Sequence, residues 1–506
     1  MKNLRLPTWI EKNRENLIAL IAAAVMAFFF LLNSPMHLWR YDDTWPDSSV
    51  FKTVALMMDN GYMPYKDTFD HKGPLLYTIN YWGLKISYFR GVWVFEAVFL
   101  TITLFTLYKI ARLRTQKFSS ALVVLTAMSY LYQYFEGGNL SEEYAMPFIA
   151  IGIYIFLDYL LNDRISWHRI AISGFSLGGV CLLRPNMIAV WIVFCAAIFF
   201  RKIWEKDWKQ LRRFVLWFVV GFSVMVLPFV VWLASNGALQ SGIEDYILFN
   251  MRYSSAEGGF ASFSSRWNIF FTFACSTIYF IAFIGIVFHL KDNSFLNITY
   301  AAYMVIGLIL LSMSGQGSGH YGMVLVPAVV YPLSLVMEDV EKLANQYNGR
   351  IVKMLVTICL MAAFIIPASL ETIKAIPSYY ENRGIDQSPE TTKQLCETVK
   401  SLTSEDDAIS VYGNWDLIYV KTRRKHATKY SFQYPISQVM PEILDKYFEQ
   451  LKDELPSVIV VQAYCNDEKI IDFLKHNGYE KVWPENLSEE EITGTDRSMV
   501  FYRPQE

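Results

Sequence analysis

"DTFDHKGPLL", residues 67–76, sets two acids, a histidine and a lysine ahead of a Gly-Pro step. Apolar sequence follows in "LLYTINYWGLKISYF", and a long apolar run, "LIALIAAAVMAFFFLLN", lies upstream. Pro74 is a favourable first residue of a helix, because its missing N–H is one the helix leaves unused. Lys72 and Gly73 therefore stand just before a helix N-terminus, where free amides and the positive end of the helix dipole attract anions. A lysine there adds a full charge. At a membrane surface the arrangement suits a lipid phosphate; a lysine that only snorkels to headgroups satisfies the same pattern.

The rest of the chain makes that surface a membrane. Of 506 residues, 53% are hydrophobic and 18% charged, where a soluble domain carries about a quarter charged residues. At roughly 17–25 apolar residues per crossing, about eleven spans are expected. They fall near 15–33, 92–110, 119–135, 145–161, 168–183, 186–201, 214–235, 269–290, 296–313, 321–338 and 352–372. The first run has no small-residue cleavage site and reads as a retained helix. The basic connections "YKIARLRTQK", "NDRISWHR" and "RKIWEKDWKQLRR" alternate with acidic or aromatic ones such as "FEGGNLSEE". The positive-inside rule then places the N-terminus in the cytoplasm and the C-terminal tail outside.

The expected fold is an α-helical polytopic membrane domain over 1–372 and a small extracytoplasmic α/β domain over 373–506. In the tail, "AISVYG", "SVIVVQA" and "SMVFYRP" read as buried strands, and "MPEILDKYFEQLKDE" and "DEKIIDFLKHNGY" as amphipathic helices. The six cysteines show no CxxC or metal-ligand spacing, and a Cys396–Cys465 disulfide stays open. The formal net charge of -2 says little on its own, because in a membrane protein the distribution of charge matters more than the sum; no nucleic-acid partner is expected.

The first outer connection contains helices of its own. "PDSSVFKTVALMMDNG" starts with Asp47 in a cap-like place and stops at Asn60-Gly61. Val50, Phe51, Val54, Met57 and Met58 form one apolar face, as in a helix lying in the membrane interface. Asp47 reads equally as a helix cap. Yet Asp42, Asp43 and Asp47 lie close together beside a span, where acids usually line a polar cavity.

An acid soon after the first span, an interfacial helix and then "DHKGPL" opening a second one resemble the C-type (GT-C) glycosyltransferase superfamily. The likeness is to its bacterial protein O-mannosyltransferase-like and aminoarabinose-transferase-like members (glycosyltransferase family 39-like). "LLRPN" at 182–186, "GHYGMVLVPA" at 319–328 and "VYGNWDLIYVKTRRKHATKYSF" in the tail add to it. The sequence departs from the family pattern in two places. Ser48 stands where relatives carry a second acid after the Asp, and His71 replaces the acid beside the lysine.

The resemblance implies an inverting transferase that moves a sugar from a polyprenyl-phosphate donor to a cell-envelope acceptor at the outer face. Asp47 matches the base and Lys72 the phosphate contact. Arg184, His320 and Tyr321 are further donor or phosphate candidates; Asp43, Asp70 and His71 are candidates for acceptor or metal. Relatives with and without a divalent metal leave the cofactor open, and membrane lipids are the remaining expected partners. Glu142 and Glu143 read as solvated surface, "NMRYSS" (Arg252, Tyr253) as either a sugar or phosphate contact or a disordered loop, and "KTRRKH" at 421–426 as a solvated or headgroup-facing basic run, with acceptor binding as its alternative. A lipid-linked sugar transporter is the rival class, but it places ionisable groups within its spans. A polysaccharide polymerase or ligase shares the donor and usually builds its site in a large late loop.

Overall fold

The computed structural model describes residues 8–37, 46–162, 166–255, 262–313, 315, 317–346, 349–438, 440–465, 467–485 and 498–504. The chain forms two compact units. One comprises Met1–His37, Trp93–Phe229 and Phe260–Glu381; the other comprises Leu38–Val92, Val230–Gly259 and Asn382–Glu506.

Among the described residues the first unit's secondary-structure elements are all helices, as lipid requires of a backbone that must satisfy its own hydrogen bonds. Helices occur at all of the expected spans. Among the described residues seven are long and apolar enough to cross a membrane, or eight if the bent pair Phe263–Ala274 and Thr277–Phe288 is one span. That pair bends by 78°. The helices Lys117–Tyr132, Trp167–Cys181 and Ala189–Trp204 have 16, 15 and 16 residues. At about 1.5 Å per residue they fall short of a hydrocarbon core of about 30 Å. Trp208–Ser235 leaves Leu216, Val224, Leu227 and Val231 exposed, as a lipid-facing helix does. The chain is a membrane protein.

The second unit gathers three separate stretches of chain. Its tail carries a five-stranded sheet: β1 (Ala408–Tyr412), β2 (Lys425–His426), β3 (Val458–Gln462), β4 (Glu480–Trp483) and β5 (Ser498–Tyr502). The order is β2-β1-β3-β5-β4. β1 runs parallel to β2 and β3, while β5 pairs antiparallel with β3 and β4. The three strands expected from the sequence are the inner ones. β2 and β4 are short edge strands with Lys425, Glu480 and Lys481, the charged kind that edges favour. Leu395 and Val399 of helix Glu390–Leu402 pack with Ile409, Val411, Val458, Val460 and Val500 as one core. Cys396 and Cys465 are both buried and unpaired.

Helices Pro46–Asp59 and Pro74–Ile86 pack together in this unit, and the short tail helix Leu417–Thr422 packs on the first of them. Thr53 donates to the Asp416 carbonyl at 3.2 Å, and the Tyr88 hydroxyl donates to the Val420 carbonyl at 2.8 Å. Ser48 through Met57 are buried as a result. On Pro74–Ile86, by contrast, Trp82 and Ile86 stay exposed, which suits a headgroup region.

Candidate functional site

Within the second unit the 69–73 turn is fastened from several directions. Phe69 donates its amide to the Lys429 carbonyl at 2.7 Å, and Asn250 donates to the His71 carbonyl at 2.7 Å. The Tyr65 hydroxyl donates to the Lys72 carbonyl at 2.7 Å. Phe69 packs among Phe249, Tyr430 and Phe432, while the His71 ring lies against Phe249 and Tyr253. Gly73 then caps Pro74–Ile86 without any side-chain hydrogen bond. The helix therefore starts with amides that no cap side chain takes up.

Asp70 is buried at the centre of this turn. Its carboxylate accepts the His71 amide at 2.7 Å and the Tyr77 hydroxyl at 2.9 Å. Burial raises its pKa to about 6, against the pull of Lys72 and with a push from Asp47. Lys72 Nζ lies 3.1 Å from His71 Nε2. Asp47 occupies the first turn of Pro46–Asp59 and is half-buried. Asp47, Asp70, His71 and Lys72 thus share one unit. Asp43 lies outside the described residues.

Sequence reasoning missed Asp416, which the tail adds to the same unit. It accepts Ser431 Oγ at 2.7 Å, and its other carboxylate oxygen has no partner among the described residues. Burial raises its pKa to about 7, with Asp70 adding to the effect. His426, buried against Tyr62 and Tyr419, is pushed down to about 4 by the same cause.

The first unit holds the other candidates. Pro185 drives Arg184 out of helical geometry (φ -160°, ψ 114°). Its guanidinium lies 4.2 Å from the centre of the Tyr321 ring and pairs with Glu142, whose second oxygen accepts Ser141 Oγ at 2.8 Å. His320 is buried; its Nδ1 lies 2.9 Å from Glu136, which also accepts the His320 amide. A small cavity, about 30 Å³, is lined by Glu142, Arg184, Asn186 and Tyr321, and otherwise by apolar or aromatic residues such as Met187, Val190, Tyr303 and Leu325. Asn186 Oδ1 is buried without a partner among the described residues.

Three expectations change. Glu142 and Glu143 are buried, not solvated. Gly137, Gly138 and Asn139 all take positive φ, folding the 136–143 stretch inward so that the Asn139 amide serves both Glu96 and Glu143. A side chain at Gly138 would strike Glu96. The run of residues that tolerate left-handed backbone was the readable signal. The 421–426 run is not a solvated face: Lys421 pairs with Asp386, Arg424 bonds Thr403 and Thr422, and Arg423 covers the Tyr88 ring. "NMRYSS" is helical (Phe249–Ser255), with Arg252 exposed and Tyr253 against His71. Among the described residues no three His, Cys, Asp or Glu side chains converge as a metal site.

Helical membrane domain, loop helices and α/β tail together make the fold that of the GT-C membrane glycosyltransferases. The structure is similar to ArnT from Cupriavidus metallidurans bound to undecaprenyl phosphate, at TM-score 0.59 and 12% identity over 97% of this chain and 99% of that one. It is also similar to the archaeal oligosaccharyltransferase AglB from Archaeoglobus fulgidus, in complex with an inhibitory peptide and a dolichol-phosphate. There the TM-score is 0.54 and the identity 12%, over 90% of this chain and 70% of that one. By sequence, residues 12–365 match the family described as "Putative competence-induced protein Ccs4 N-terminal domain", and the chain belongs to that family. No curated protein sequence matches it.

Proposed function

We propose that the protein is an inverting glycosyltransferase that moves a sugar from a polyprenyl-phosphate donor to a cell-envelope acceptor outside the cytoplasm. The observation that carries this reading is the cavity of the first unit, where the Arg184 guanidinium stands among mostly apolar and aromatic walls. A phosphate on a long hydrocarbon chain has that same mixture of chemistry. Both solved relatives were captured with a polyprenyl-type phosphate, undecaprenyl phosphate in one and dolichol-phosphate in the other.

In this reading the acceptor hydroxyl attacks C1 of the sugar as the C1–O bond to phosphate breaks. The proton passes to Asp47, and the phosphate leaves with the bonding pair. Lys72, beside an uncapped helix start, neutralises the leaving phosphate. Arg184, His320 and Tyr321 serve donor binding. Asp70 and His71 orient the lysine: Asp70 fixes the turn and the His71 ring abuts the ammonium. The second unit and the acceptor lie on the extracytoplasmic side, and the N-terminus lies in the cytoplasm.

Purified protein is incubated with a panel of polyprenyl-phosphate sugars, wild type beside Asp47→Asn. Consumption of at least one donor by wild type, reduced by about 10²-fold or more in the variant, is expected for a lost general base. An inert wild type, or a fully active variant, sinks the reading.

A further inference from the structure

The tail sheet has a switch point. From β1 the chain passes to β2 on one side, and β3 lies on the other, all three parallel. In open α/β sheets, ligands bind beyond the carboxyl ends of strands at such a point. Here those ends are Tyr412-Gly413-Asn414 after β1 and Gln462 with Tyr464 after β3.

The polar groups at this edge are arranged with donors to spare. Gln462 Oε1 accepts the Asn414 amide at 2.6 Å and the Tyr464 hydroxyl at 2.8 Å. Gly413, at φ +150°, leaves room for that carboxamide, since a side chain there would strike it. With its oxygen held twice, the Gln462 carboxamide is fixed in orientation, and its nitrogen has no partner among the described residues. The Asn414 side chain and the Tyr434 hydroxyl likewise have none. The rings of Tyr434 and Tyr464 meet edge to face at 5.7 Å, and Tyr464 is 58% exposed.

None of these groups is needed for the sheet core, which lies among Ile409, Val411, Val458 and Val500. None is a cation. The Asp467 carboxylate is occupied by the Tyr412 hydroxyl and the Ile470 amide. A fixed Gln462 carboxamide with the Asn414 amide beside it for hydroxyl pairs, the exposed Tyr464 and half-buried Tyr434 rings for C–H surfaces and no cation describe one ligand chemistry. We infer that this edge is a binding site for an uncharged oligosaccharide. Asp416, two residues past Asn414, touches helix Pro46–Asp59, which bears Asp47, through Thr53. The bound glycan is then the acceptor, a role that rests on the transferase reading; the binding itself does not.

The full-length protein in detergent is tested by saturation-transfer NMR against neutral oligosaccharides, namely tetramers of glucose, galactose and N-acetylglucosamine. Wild type is expected to bind at least one, with affinity about tenfold weaker in Tyr464→Ala and measurably weaker in Asn414→Ala. If no tetramer binds wild type, or both variants bind as wild type does, the site does not exist. If binding follows this pattern while no lipid-linked donor is consumed, the site stands and the transferase reading falls.

Discussion

The Tyr77 hydroxyl donates to Asp70 Oδ2 at 2.9 Å and at the same time accepts the Lys72 amide at 3.1 Å. One phenol on the helix thereby fixes both the carboxylate and the backbone of the residue assigned to phosphate. Asp70 in turn accepts the His71 amide. The turn is held from within by groups that are all buried or half-buried.

Tyr77→Phe keeps the ring and removes these bonds. A buried carboxylate oxygen and a half-buried amide then lose their partner, at a cost of about 2 kcal/mol. The variant is expected to unfold at lower temperature in detergent. Its KM for the lipid-linked donor rises more than its kcat falls, because Lys72 is misplaced rather than lost. A KM equal to wild type's makes the tyrosine a packing residue only.

The acids of the second unit give it a pH dependence with a definite sign. The folded-state pKa values of Asp70 and Asp416, about 6 and about 7, exceed their ordinary value of 3.8. The folded form therefore holds more protons than the unfolded chain, and stability is lost as pH rises from about 4 through 7. His426 works oppositely: lowered from 6.5 to about 4, it costs stability as pH falls through that range. Asp416→Asn removes the largest of the acid contributions. Its melting temperature is expected to exceed that of wild type at pH 8 and to converge with it near pH 4, the gap corresponding to a few kcal/mol on the order of one pKa unit per 1.4 kcal/mol. A gap that does not change with pH counts against a buried acid at 416.

Much of this was readable in advance, and the failures share a cause. Pro74 as a helix start, Asn60-Gly61 as a stop and the three inner strands follow from signals within a few residues. Glu142 and the 421–426 run were misread because their partners are remote in sequence. Glu142 meets Arg184, Lys421 meets Asp386 and Arg424 meets Thr403. A charged residue is solvated by default, and only the fold supplies the counter-charge that lets it be buried. The union of the 46–92 stretch with the tail also had no local sign, since Thr53 to Asp416 and Phe69 to Lys429 join distant parts of the chain.

Gly319 tests His320 without touching it. A side chain at Gly319 would meet the Glu136 carboxylate, a flexible group that can swing away. Gly319→Ala is thus expected to fold normally while breaking the Glu136–His320 hydrogen bonds. A melting temperature within about 1 °C of wild type, equivalent to about 1 kcal/mol for a chain of this length, accompanies a several-fold loss of donor turnover. Unchanged turnover removes His320 from the donor site.

Arg184 and Glu142 separate folding from function. Arg184→Gln leaves Glu142 buried beside no cation, which costs about 3–5 kcal/mol, and also removes the cation from the Tyr321 face. Glu142→Gln in the same chain cancels the stranded charge, so the double variant recovers most of the lost melting temperature. Donor affinity follows a different rule. If Arg184 neutralises a lipid phosphate, the double variant still binds undecaprenyl phosphate about tenfold or more weakly, because no carboxamide replaces a charge-assisted hydrogen bond. Arg184→Lys helps little, for an ammonium matches neither the planar stacking nor the forked geometry. A double variant with both wild-type stability and wild-type lipid affinity assigns the pair to the scaffold and moves the phosphate elsewhere.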